Sequence, residues 1–71
     1  MRERLVNEIL EKLNLCNMKY AAMDKNKKWY AFEQRPDCVD DMWDTKHGDF
    51  IRLYTLPGKG VDYQKSLVEK I

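Results

Sequence analysis

Apolar positions recur along this chain with two different periods, and the change of period marks out its elements. Between Arg2 and Leu13, the residues Leu5, Val6, Ile9, Leu10 and Leu13 fall at i, i+1, i+4, i+5 and i+8. That is the stripe of an amphipathic helix. Arg4, Glu8 and Lys12 are spaced i, i+4 on the wet face, where each pair adds about 0.3 kcal/mol. Asn14 is a suitable stop, since Asn takes the left-handed conformation that ends many helices. The stripe cannot be buried by the helix alone, so a sheet must lie against it.

The period then drops to two. From Met18 to Glu33, two aromatic-rich runs flank the polar break Asp24-Lys25-Asn26-Lys27-Lys28, the pattern of a β-hairpin. Asp and Asn suit such a break because their short side chains bond the local backbone. Met18, Tyr20 and Ala22 alternate with Lys19, Ala21 and Met23, and Trp29 and Ala31 with Tyr30 and Phe32. A three-residue turn at Lys25-Asn26-Lys27 places Tyr20, Ala22, Tyr30 and Phe32 on one face. That face is expected to be the core, with Trp29 on the other.

Pro36 ends the second strand, because proline cannot donate to a ladder. Asp37 to Asp49 is irregular. Asp37, Asp40, Asp41 and Asp44 stand at i, i+3, i+4 and i+7, and like charges at that spacing oppose a helix. A short turn or a loop is an equal expectation, with Gly48 freeing the backbone for a reversal. Phe50 to Leu56 reads as a third strand, stopped by Pro57-Gly58. Asp62 is a good N-cap for a last short helix whose apolar side is Tyr63, Leu67, Val68 and Ile71. The expectation is a single α+β domain over residues 1–71. Its three-stranded antiparallel meander is flanked by an N-terminal and a C-terminal helix, in the order αβββα.

Three motifs then stand out together. Lys19-Tyr20-Ala21-Ala22-Met23-Asp24 is followed by Trp29-Tyr30-Ala31-Phe32-Glu33; Pro36 is followed by Trp43; and the chain nears its end with Asp62-Tyr63-Gln64-Lys65-Ser66-Leu67. In these motifs, over residues 19 to 67, the chain resembles a group of small bacteriophage and prophage proteins of unknown function. It departs from them twice: Lys27 stands where their hairpin turns carry Gly, and Tyr63 where they carry Trp. The resemblance implies a viral origin and the αβββα order. It implies no reaction, because a shared fold does not supply one.

Composition narrows the classes. With 71 residues, 44% of them hydrophobic and 35% charged, the chain has too much patterned apolar material for disorder. A domain of this size buries only about 60% of its unfolded surface, so its stability margin is thin. A net charge of +1 excludes a bulk electrostatic reading in either direction, toward acidic or basic partners. Cys16 and Cys38 show no Cys-x-x-Cys spacing, which excludes a zinc ribbon or a dithiol redox motif. The early acid Glu3 argues against a signal peptide, and no apolar run approaches the ~18 residues of a membrane span. The expected setting is the cytoplasm, with reduced thiols and no membrane contact.

Candidate chemistry is non-covalent. The acids Asp37, Asp40, Asp41 and Asp44 around Trp43 form the first candidate, a patch that steers a basic partner onto an exposed ring. Asp49 extends the acidic run, which lacks the Asp-x-Asp-x-Asp-Gly order of a calcium loop, so no metal or other cofactor is expected. The alternative is nucleic-acid binding through Lys25, Lys27 and Lys28 beside a stacking Trp29, extended by Lys19, Arg35 and Arg52. The blander readings are a solvated acidic loop and a lysine-protected turn. His47 with Cys16 or Cys38 would be the only conventional base and nucleophile, and nothing in the sequence activates them. The sequence thus reads as a non-enzymatic interaction module that binds or inhibits a host protein, with self-association as a further alternative.

Overall fold

The computed structural model describes residues 2–54 and 56–70. Helix α1 spans Arg2–Cys16, and strands β1 to β6 span Tyr20–Met23, Trp29–Phe32, Asp37–Val39, Met42–Asp44, Phe50–Leu53 and Val68–Glu69, with a 3-10 turn at Tyr63–Lys65. Four strands form one sheet in the order β5-β2-β1-β6, and β3 pairs with β4 in a separate two-stranded ribbon. All pairings are antiparallel. The expected meander is present as β1, β2 and β5. The full architecture is richer than αβββα, with six strands among the described residues in place of three.

The helix runs three residues beyond Leu13, to Cys16, and its left-handed stop falls at Asn17 instead of Asn14. Asn17 takes the left-handed conformation, with φ +61°, and the Met18 N–H bonds back to the Leu13 carbonyl at 3.1 Å. This is the Schellman arrangement, which satisfies a carbonyl the helix leaves open.

The β1–β2 hairpin has the predicted three-residue turn. The Asp24 N–H donates to the Lys28 carbonyl at 3.0 Å and the Lys27 N–H to the Asp24 carbonyl at 2.9 Å. Lys27 takes φ +68°, the conformation for which a glycine is the ordinary choice. Gly58 lies against this turn. A Cβ there would stand 2.8 Å from that of Lys27, so the closing loop reaches the hairpin only because position 58 has no side chain.

The register sets Tyr20 opposite Phe32 and Ala22 opposite Tyr30, so these four residues share a face as expected. They do not face the helix. The helix-side core is Ile9 and Leu13 of α1 with Ala21, Met23, Trp29, Ala31 and Leu53. Ala21 and Ala31 are directly opposite each other, and two small side chains side by side let the helix approach the sheet closely. Trp29, expected on the other side, is buried there, its indole N–H donating to the Pro57 carbonyl at 3.1 Å. The Tyr20–Phe32 face carries a second cluster, in which Ala22, Phe32 and Trp43 are buried and Tyr20, Tyr30 and Leu67 half-buried.

The expected C-terminal helix is replaced by a turn and a strand. Asp62 does cap, accepting the Gln64 N–H at 3.0 Å, but the helical geometry lasts only from Tyr63 to Lys65. Val68 and Glu69 then pair with Ala21 and Tyr20. Ser66, buried, continues the ladder with its side chain, its Oγ accepting from the Met23 N–H at 2.8 Å. The reason lies on β1. Ala21 and Met23 are buried, and a helix at this edge would leave their backbone groups without partners. Ile71, assigned to the helix from sequence, and Thr55, within the predicted third strand, lie outside the described residues. Among the described residues no helix is long and apolar enough to cross a membrane.

Candidate functional site: the acidic ribbon and the slot beneath it

Residues 37 to 44, for which the sequence left a helix and a short turn or loop as equal expectations, form neither but the β3–β4 ribbon. Its register pairs Asp37 with Asp44, Cys38 with Trp43 and Val39 with Met42. The chain reverses at Asp40 and Asp41, with Asp40 in the left-handed region at φ +54°, a conformation that Asp tolerates better than most residues. Alternation puts Trp43 on one face of the ribbon and Asp37, Val39, Met42 and Asp44 on the other.

Trp43 fastens the ribbon to the body. Its indole N–H donates to the Tyr63 carbonyl at 2.8 Å, and its backbone N–H donates to Asp24 Oδ1 at 2.8 Å. The Lys25 N–H adds a bond to the Asp41 carbonyl at 2.9 Å. Trp43 is therefore buried, not the exposed anchor expected from sequence. Packing explains the difference: its ring is needed to cover Ala22 and Phe32, which α1 leaves open on that side of the sheet.

The four aspartates are exposed and lie together on the ribbon, as the first candidate requires. Asp37 and Asp44 stand directly opposite each other, and like charges in that position destabilise a ribbon. Among the described residues neither has an ion-pair partner; Asp41 does, with Lys25 Nζ at 3.6 Å. The exposed apolar contribution comes from Val39 and Met42, 51% and 49% exposed. Sequence reasoning passed over both. Their pairing becomes legible only once residues 37–44 are recognised as a hairpin.

Between the ribbon and the sheet runs a slot of about 120 Å³, walled by Tyr30, Phe32, Met42, Trp43 and Phe50 with Asp24 and Asp44 beside them. Phe50 is 59% exposed. Its ring meets Tyr30 edge-on at 6.3 Å and Phe32 at 6.2 Å. Burial raises the Asp24 carboxyl above the usual carboxylate range; the Trp43 N–H pulls it partly back, and the charge of Asp44 pushes it up further. The slot thus joins aromatic faces to carboxylates, a combination that receives a cation. A larger groove of about 650 Å³ lies between α1 and the closing segment, but Arg4, Glu8, Lys59, Asp62 and Lys65 give its lining no dominant sign.

The alternative surface is not assembled. Lys25, Lys27 and Lys28 are exposed at the turn, but Trp29 is buried on the helix side and cannot stack on a base. Arg52 lies over the Tyr54 ring at 4.5 Å, and Arg35 reaches Glu69 at 4.0 Å. Cys16 Sγ is directed at the Leu13 carbonyl and Cys38 is exposed. His47 is exposed, its carbonyl accepting from Thr45 Oγ1 at 2.7 Å. No contact joins thiol to imidazole among the described residues. Among those residues, no group of three or more His, Cys, Asp or Glu is placed to hold a metal ion. No protein-family model, curated protein or solved structure matches the chain.

Proposed function

We propose that this protein acts by binding another protein, and that the acidic ribbon with its slot receives a lysine- or arginine-bearing segment of that partner. The observation carrying this reading is the placement of exposed Val39 and Met42 among Asp37, Asp40, Asp41 and Asp44, with exposed Phe50 lining the slot beside Met42 and Asp44. Apolar side chains rimmed by one sign of charge combine desolvation with electrostatic selection of the partner. The slot, at about 120 Å³, is well below the ~300 Å³ at which small-molecule sites begin. That size suits a single side chain. The likeness to small phage proteins supports a host protein as the partner, with capture or inhibition as the outcome.

Tryptophan fluorescence and amide shifts, followed during titration with a lysine- and arginine-rich peptide and with an acidic control, test the reading. The basic peptide should move the signals of Met42, Trp43 and Phe50. Asp40→Lys combined with Asp41→Lys should weaken it by about tenfold, or 1.4 kcal/mol. Equal binding of both peptides, or shifts confined to other surfaces, would remove the proposal.

A further inference from the structure

Strand β5 is an edge of the sheet among the described residues, and its free side has a definite bonding pattern. The Glu33 N–H donates to the Asp49 carbonyl at 3.0 Å, and the β2–β5 register continues through Ala31 with Ile51 and Trp29 with Leu53. In an antiparallel ladder the directly bonded pairs alternate with unbonded ones. Ile51 and Leu53 therefore turn their backbone groups toward β2, and Phe50 and Arg52 turn theirs outward.

The outer side has little of the protection that edges usually carry. Phe50 is 59% exposed, Ile51 40% and Tyr54 63%. No proline or lysine occurs from Phe50 to Tyr54, and the one charge, Arg52, lies over the Tyr54 ring. A hydrophobic edge whose Phe50 and Arg52 backbone groups face outward is a template for another strand.

We propose that β5 pairs antiparallel with β5 of a second copy of this chain, about a two-fold axis at Ile51, joining two four-stranded sheets into one of eight. The bonding pattern leaves three symmetric registers in which outward groups meet. Arg52 against Arg52 opposes two like charges directly and is disfavoured. Phe50 against Phe50 makes one directly bonded pair, and its next pair would need Gly48, whose φ of +81° departs from extended backbone. Phe50 against Arg52 uses both outward residues twice, giving four backbone hydrogen bonds. It also sets each Arg52 guanidinium across from an exposed Phe50 ring, a favourable cation–aromatic pairing. Ile51 then meets Ile51 of the second copy as an unbonded pair, the closer of the two kinds. The partner is a copy of this chain because this register satisfies charge, apolar area and backbone bonds on both sides at once.

Light scattering and cysteine cross-linking test this independently of peptide binding at the ribbon. The native protein should be a dimer at millimolar concentration. Ile51→Lys sets two lysines face to face at the axis, and should give a monomer with unchanged far-ultraviolet circular dichroism. In a Cys16→Ser, Cys38→Ser background, Ile51→Cys should form an intermolecular disulfide on mild oxidation, since only this position meets itself; Phe50→Cys should not. A native protein that stays monomeric at millimolar concentration overturns the proposal, and equal cross-linking at positions 50 and 51 overturns the register.

Discussion

The carboxylate of Asp24, at the base of the hairpin turn, accepts the backbone N–H of Trp43 from the neighbouring ribbon at 2.8 Å. This one bond ties two elements that share no sheet, and it places a carboxylate beside the aromatic slot. Asp24 is therefore both a structural tie and part of the candidate binding surface.

Removing the acceptor should cost more than removing the charge. Asp24→Ala leaves the Trp43 N–H buried and unpaired, which should lower stability by about 1–3 kcal/mol. Asp24→Asn keeps an oxygen in place and should match or exceed the native protein at neutral pH, because burial is the largest influence on this carboxyl. Denaturant melts of the two variants check this; equal losses would show that charge, not the acceptor, carries the tie.

Acidity should act in a definite direction at this residue. The folded value of Asp24 lies above its ordinary 3.8, so the folded state holds the proton more tightly than the unfolded chain does. Its contribution is then fully present below the unfolded value and is lost as pH rises through the folded one. The stability of Asp24→Asn relative to the native protein should accordingly rise as pH increases through that interval. Parallel denaturation series of both proteins at stepped pH read out this difference, and a constant gap would contradict it.

Lys27 holds a left-handed conformation at φ +68°, which costs a non-glycine residue roughly 1–2 kcal/mol. Lys27→Gly relieves that strain but gains unfolded-state entropy, which offsets about 0.5–1 kcal/mol. A net stabilisation of about 0.5–1 kcal/mol is expected from these opposed effects. Thermal melts should show a rise of a few degrees; a fall would mean that contacts of the lysine stem outweigh its backbone strain.

The opposed pair Asp37 and Asp44 should separate stability from function. Asp37→Lys turns a repulsive cross-strand pair into an attractive one and should stabilise the ribbon by about 0.2–1 kcal/mol. The same change should weaken binding of a basic peptide, because it removes one acid and adds a cation at the rim. Melting and titration of one variant test both halves, and a stabilised protein with unaltered peptide affinity would detach Asp37 from the surface.

What the sequence determined by itself was local: the stripe of Leu5, Ile9 and Leu13, the alternation on either side of Asp24, and a three-residue turn. Each depends on residues a few positions apart, where periodicity and turn chemistry act directly. The helix-facing side of the sheet was decided elsewhere, by how closely α1 approaches the small pair Ala21 and Ala31. Residues 66–69 became a side-chain link and a strand because Met23, 43 positions earlier, needed a partner for its N–H. Trp43 turned inward because Asp24, 19 positions away, held its backbone and an uncovered sheet face took its ring. Pairings over such separations are selected by burial and hydrogen-bond satisfaction in the assembled fold, and local pattern carries no record of them.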